Sequence, residues 1–325
     1  MNTPAKIIEF LRQSPSTAND ISNFLGLSRQ ATHRHLARLI DDKRLAKVGM
    51  PPKVYYSISS TLDAPTTQVA STISSTVKQV VDDNFLYITP TGERLAGWPG
   101  FVVWSTERNQ NVARMAEQYA KVHDKYERFK VNGLIDGMAK MNSTFDVVSL
   151  DAVYYADFYS VEIFGKTKLG QLLLHAKQSQ DVSLMKEVIE YVRPQVEELV
   201  GLYDIDGIAF VPPTVRRERQ FMKALQRQLA LPIRSVDLEK VRTQVVVPQK
   251  TLNKLDDRVR NAEQTIVLAD RSPYENILII DDAIGSGATI NEIAKKIRYS
   301  GICSGKIIGL AITGSPNGFD VISEV

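Results

Sequence analysis

The 325-residue chain has one cysteine, Cys303, two tryptophans and four histidines. A single cysteine excludes a disulfide framework and a cysteine-based structural zinc site, and it fits a reducing compartment. No apolar run approaches the roughly 18 residues of a membrane-spanning helix. The opening MNTPAKIIEF lacks an apolar signal core. The expectation is a cytoplasmic protein with no membrane partner. No Gly-x-x-x-x-Gly-Lys-[Ser/Thr] occurs, which disfavours a Walker-type nucleotide site. Neither sign of charge dominates, with 40 Lys+Arg against 37 Asp+Glu. The chain is 43% apolar and long enough to bury a sizeable core, and at about 150 residues per domain two or three domains are expected.

What charge there is lies unevenly. Residues 1–60 hold 9 Lys+Arg and 4 Asp+Glu, and residues 216–260 hold 12 and 5. Such blocks point to anionic partners, not necessarily the same one. In the first block, Ile7, Ile8 and Leu11 have helical spacing within residues 4–13. Ser16 or Thr17 caps a second helix with Ile21, Phe24 and Leu25 inside, and Gly26 breaks the chain. Ser28 caps a third helix, SRQATHRHLARLIDD, with Leu36, Leu39 and Ile40 inward. RLAKVGMPPKVYYSIS reads as two short strands around a Gly-Met-Pro-Pro turn. Residues 1–60 thus resemble a winged helix-turn-helix domain. The resemblance implies that the third helix enters the major groove, presenting Arg29, Gln30, His33, Arg34 and Arg38, with Lys47 and Lys53 on the wing. A winged helix used only for protein contacts is the alternative. The pair His33-x-His35 has no carboxylate or cysteine partner nearby, which disfavours a metal sensor.

Residues 61–149 read as a linker and connector. Residues 57–76 carry 11 Ser+Thr in twenty, the composition of a hinge. Yet Val69, Ile73, Val77 and Val80 recur at helical spacing, so an amphipathic helix that pairs with a second copy is the other reading. FLYITP and FVVWS read as strands around a turn-rich TGERLAGWPG, and NVARMAEQYAKVHDKYERF as a helix. Trp98 and Trp104 read as packing residues.

From residue 150 the pattern is α/β. TKLGQLLLHAKQ is helical, as are VSLMKEVIEYV and RPQVEELVGLY on either side of Pro194. DIDGIAFVPP reads as a buried strand and RERQFMKALQRQLA as a helix. ENILIIDD is a second buried strand, TINEIAKKIRYS a helix and KIIGLAIT a final strand. Such alternation implies a mainly parallel sheet covered by helices. Its sharpest segment is Asn276-Ile-Leu-Ile-Ile-Asp281-Asp282-Ala283-Ile284-Gly285-Ser286-Gly287-Ala288-Thr289. Backbone N–H groups in a small-residue loop that opens a helix favour an anion, and glycines let it come close. Ser286 and Thr289 add hydroxyls. Asp281 and Asp282 sit where sugar hydroxyls would lie, so the arrangement suits a ribose 5-phosphate.

This segment resembles the phosphoribosyl pyrophosphate (PRPP) motif of type I phosphoribosyltransferases, with Gly285-Ser286 in place of the family's Thr-Thr. Upstream, Ala209-Phe-Val-Pro-Pro213 with Arg216, Arg217 and Arg219, then Pro248-Gln249-x-x-Leu252 with Arg258, resemble the pyrophosphate loop and mobile flap of ComF-like members. The cysteines often found ahead of ComF-like domains are absent. The resemblance covers about residues 150–325. It implies an α/β protein in which a winged helix precedes a phosphoribosyltransferase-like domain. PRPP would be held by residues 281–289, with Asp281 and Asp282 as the catalytic acids. Mg2+ would arrive with the ligand and meet these acids through ribose hydroxyls or water.

Three functions stay open. One is a DNA-binding transcription regulator that senses PRPP or a nucleotide, an arrangement similar to the purine repressor of some bacteria. A second is an active transferase that displaces pyrophosphate with a nitrogen nucleophile. A third is an accessory or effector protein of phage defence, since some retrons resemble this pairing. There the partners would be an RNA–DNA hybrid and a reverse transcriptase. A homodimer is expected, since winged helices usually read paired half-sites.

Overall fold

The computed structural model describes residues 3–42, 44–48, 54–58, 73–215, 217–241, 243–245, 247 and 251–315. Among these the chain is mixed α/β, with twelve α-helices and a seven-stranded, mostly parallel sheet. It divides into two compact units, Met1–Ser75 with Tyr87–Met115, and Thr76–Leu86 with Ala116–Val325. The 61–149 stretch is therefore shared between them.

The first unit starts with α1 (Thr3–Leu11), β1 (Ser16–Thr17), α2 (Ala18–Leu25) and α3 (Arg29–Asp41). β2 (Leu45–Val48) and β3 (Tyr55–Ile58) follow. Ile7, Leu11, Ile21, Leu36, Leu39, Leu45 and Tyr56 form one buried core. Thr17 and Asp20 make a reciprocal capping box at the start of α2, which satisfies two otherwise orphaned N–H groups. Gly26, at φ +62°, ends α2 in the left-handed conformation, and the Ser28 hydroxyl accepts from the Ala31 N–H to start α3. β3 lies between β1 and β2, and both pairings are antiparallel. β1 is new: Ser16 and Thr17, expected only as a cap, also pair with Tyr56 and Tyr55. Phe24, expected inside, is 57% exposed and stacks on Phe10 at 4.2 Å.

Next come α4 (Ser75–Asn84), with Val81 buried, and the hairpin strands β4 (Leu86–Ile88) and β5 (Arg94–Ala96). The expected strand FVVWS is instead part of a helix, α5 (Gly97–Glu107). A run of four apolar residues cannot by itself distinguish a strand from a buried helix. Here Pro99 falls in the first turn, where no N–H is needed, and Gly100 lets the helix abut β5. A Cβ at Gly100 would lie 2.2 Å from the Leu95 carbonyl oxygen. Trp98 and Trp104 are buried packing residues, with the Arg108 guanidinium 4.6 Å from the Trp104 ring.

α6 (Val112–Glu127), β6 (Lys130–Val131), β7 (Leu134–Asp136), α7 (Met138–Thr144) and β8 (Ala152–Phe158) lead into the second unit. A short hairpin, β9 (Ser160–Val161) and β10 (Gly165–Lys166), precedes α8 (Lys168–Ser179) and α9 (Val182–Leu202). Pro194 does not divide α9 into two helices as expected. Met185, Val188, Ile189, Val192, Val196 and Leu199 form one continuous buried stripe, whose burial outweighs the single hydrogen bond that proline removes. The chain continues through β11 (Gly207–Phe210), α10 (Phe221–Leu229), β12 (Arg234–Val236) and β13 (Leu238–Lys240). The last described elements are α11 (Leu255–Thr265), β14 (Ile266–Leu268), β15 (Ile277–Ile284), α12 (Ala288–Ser300) and β16 (Ile307–Gly314).

The large sheet runs β12-β11-β15-β16-β8-β7-β6. Its first five strands pair in parallel, and the last two pairings, β8 with β7 and β7 with β6, are antiparallel. From β11 the chain steps outward to β12, and from β15 it steps the other way to β16. The winding direction reverses between β11 and β15, and a crevice at the carboxyl ends of such neighbours is where doubly wound sheets bind ligands.

Candidate functional site

That crevice is occupied by a cleft of about 190 Å³, lined by the ends of β11 and β15 and the start of α12. Ile277, Leu278, Ile279 and Ile280 are fully buried in β15, as expected of a central parallel strand. β15 is longer than the sequence suggested. Asp281, Asp282, Ala283 and Ile284 still belong to it, and Ala288 and Thr289 already form the first turn of α12. The loop itself is only Gly285, Ser286 and Gly287.

Gly287 caps α12 at φ +83°, and a Cβ there would lie 2.5 Å from Met141 Sδ. No other residue meets both demands. Ser286 is buried, and its hydroxyl accepts from the Ala288 N–H at 3.3 Å. The residues from 281 through 289 all line one cleft, so the acid pair and the glycine loop lie together.

The two acids are not equivalent. Asp282 accepts a 2.6 Å hydrogen bond from Lys177 Nζ of α8. Asp281 accepts from the Asp282 N–H at 2.8 Å. Burial and the adjacent Asp282 charge push the Asp281 carboxyl well above the usual carboxylate range. Lys240, also on the cleft wall, donates to Thr265 Oγ1 at 2.5 Å. Burial lowers its amine to about 8, against the opposing attraction of Asp281.

Lys177 and Lys240 were not singled out from the sequence. Lys177 could have been: it lies four residues after Leu173 on the stripe through Leu169, Leu172 and Ala176, where a lysine needs a buried partner. Lys240 sits inside the second basic block, and its inward direction had no local signal.

The expected pyrophosphate-loop and flap residues are less uniform. Arg217 is half-buried and lines the cleft. Arg219 is exposed, and its N–H donates to Gln180 Oε1. It borders a wider, adjoining cleft. Arg258 reaches the narrow cleft but is 6% exposed, and its Nε donates to the Leu252 carbonyl at 2.7 Å. Burial lowers its pKa. Arg216 and Gln249 lie outside the described residues.

Among the described residues no group of three or more His, Cys, Asp and Glu side chains could hold a metal ion. Two carboxylates, one already paired with a lysine, make a poor cage for a divalent ion. They do fit an ion that keeps most of its coordination from a diphosphate and water.

In the first unit, Arg29, Gln30, His33, Arg34 and Arg38 are all exposed along α3, while Leu36 and Leu39 turn inward. His35 is half-buried and Lys47 is exposed. Lys53 and the Gly-Met-Pro-Pro turn lie outside the described residues. Among these residues no helix is long and apolar enough to cross a membrane. Neither a scan against protein-family models nor a search of curated proteins found a match.

Proposed function

We propose that this chain is a nucleic-acid-binding regulator whose second unit binds PRPP or a related ribose phosphate. The observation that carries the reading is the crevice between β11 and β15, which brings an acid pair and a glycine loop at a helix start to the point of strand-order reversal. In this reading the 5-phosphate meets the N–H groups of 285–289, strengthened by the positive end of α12. Asp281 and Asp282 hold the ribose 2- and 3-hydroxyls, Lys177 orients Asp282, and Arg217 and Lys240 face the pyrophosphate. Asp281 and Asp282 would meet a magnesium ion carried by the diphosphate through ribose hydroxyls or water, and that ion would supply charge neutralisation. Residues 150–325 of the second unit are then a phosphoribosyltransferase-like domain.

Within the first unit, the described part of residues 1–60 fits a winged helix-turn-helix. α2 and α3 are joined by a Gly26 turn with α1 in the same core, a small antiparallel sheet completes the group, and three arginines on α3 have no ion pair among the described residues. The retron-type accessory reading uses the same two surfaces, with an RNA–DNA partner on the basic face.

Calorimetric titration with PRPP, with and without magnesium, tests the reading. Magnesium-dependent binding that disappears in Asp281→Asn/Asp282→Asn is the expected result. Equal affinity in the double variant, with the fold intact, overturns it. Release of pyrophosphate on adding a nucleobase would replace the sensor with an active transferase.

A further inference from the structure

The narrow cleft opens into a second one of about 1110 Å³, and the two share Pro212, Pro213, Arg217, Gln220 and Lys240. One side of the wider cleft is α10. Phe221, Met222, Leu225 and Leu229 of this helix are buried, while Lys223 and Arg227 are exposed and line the cleft. Arg219 stands four residues before Lys223 and lines it too.

Like charges four residues apart on a helix repel each other. No ion pair to Arg219, Lys223 or Arg227 occurs among the described residues, and the one acidic side chain on the cleft wall is Glu218. Four residues of helix advance about 6 Å, close to the step between successive phosphates of an extended strand. The row lies along one wall of a cleft too small for a duplex. Gln220 at the start of α10, Gln228 within it and Asn261 of α11 add amides to the lining, and among the described residues no aromatic ring lines the cleft.

We propose that α10 forms a track for single-stranded nucleic acid, which leads the strand to the mouth of the ribose-phosphate cleft. This second nucleic-acid surface is independent of α3. Phosphates pair with Lys223 and Arg227, and the amides meet bases without a stacking platform, so recognition is tolerant of sequence. The placement of the track beside the cleft rests on the ribose-phosphate reading. Its charge row does not.

The test uses the full chain with Arg29, Arg34 and Arg38 replaced by alanine, so that α3 contributes little. A fluorescent oligothymidylate of about fifteen nucleotides is titrated by anisotropy. Adding Lys223→Glu/Arg227→Glu is expected to weaken binding by about tenfold or more at low salt, and to reduce the salt slope by about 1.4. Lys223→Arg/Arg227→Lys is expected to restore it. PRPP affinity, measured separately, is expected to stay within about twofold, since neither residue lines the narrow cleft. Failure of the parent to bind the oligonucleotide, or equal binding by the Glu variant, overturns the track. So does displacement by polyphosphate of equal charge more readily than by unlabelled strand. Loss of strand binding in the Glu variant supports the track even where PRPP does not bind the parent, an outcome that overturns the ribose-phosphate reading alone.

Discussion

The α3 face and the narrow cleft are both basic, and they use charge in opposite ways. Arg29, Arg34 and Arg38 are exposed on a regular helix. Lys177 and Arg258 are almost fully buried, and Lys177 is tied to an acid. Exposed cations suit a large, hydrated polyanion, and their attraction is screened by salt. Buried cations are desolvated and screened much less, so they suit a small anion held at fixed geometry. The same residue types therefore imply different partners once burial is known.

The largest effect that would sharpen this contrast is expected from Asp281→Asn/Asp282→Asn. PRPP binding should fall by about a hundredfold or more, through two lost charge-assisted contacts at about 1.5–3 kcal/mol each. Binding of duplex DNA should be unchanged. Calorimetry and a mobility-shift assay on one preparation check both halves, with circular dichroism to confirm the fold.

Gly287→Ala comes next. The left-handed backbone and the Met141 contact should destabilise the second unit by about 1–3 kcal/mol. A denaturant melt measures this, and the loop should lose its anion. The α3 face should not respond. If Gly287→Ala leaves both stability and PRPP affinity intact, the loop is not the built anion site described above.

Arg34→Ala should weaken DNA binding by about five- to tenfold and lower the salt slope by about 0.9. PRPP affinity should be unaffected. An unchanged slope breaks the assignment of α3 as the phosphate-contacting face.

The smallest effect is in pH. The raised carboxyl of Asp281 takes up a proton as pH falls, which in the proposed reading would weaken its hold on the ribose hydroxyls. The amine of Lys240, lowered to about 8, loses its proton as pH rises, which weakens its hold on pyrophosphate. PRPP affinity should therefore peak between the two and fall by a few-fold on either side. A monotonic PRPP profile across that range breaks the proposed pairing of an acid and an amine in one cleft.

Much of this was legible because its signals are local. Ser28 before an amphipathic helix and Gly26 after another are read within a few residues. Four buried aliphatics followed by two acids and small residues mark both a central strand and the loop after it. The failures have a common cause. α5 and the unbroken α9 depend on what covers an apolar face, and that burial overrode the strand-like run at residues 101–105 and the proline at 194. Lys177 lies 105 residues from Asp282, so only folding brings the pair together.

By itself the sequence determined the elements whose caps, periodicity and apolar runs are short-range: α1 to α3, β11, β15, α12 and β16. It also placed the acids and the loop in one segment. The tertiary structure alone decided the strand order, and with it the reversal between β11 and β15 that makes a crevice there. It also decided which cations turn inward, because parallel strands are joined by long crossovers and register and burial are settled between distant segments.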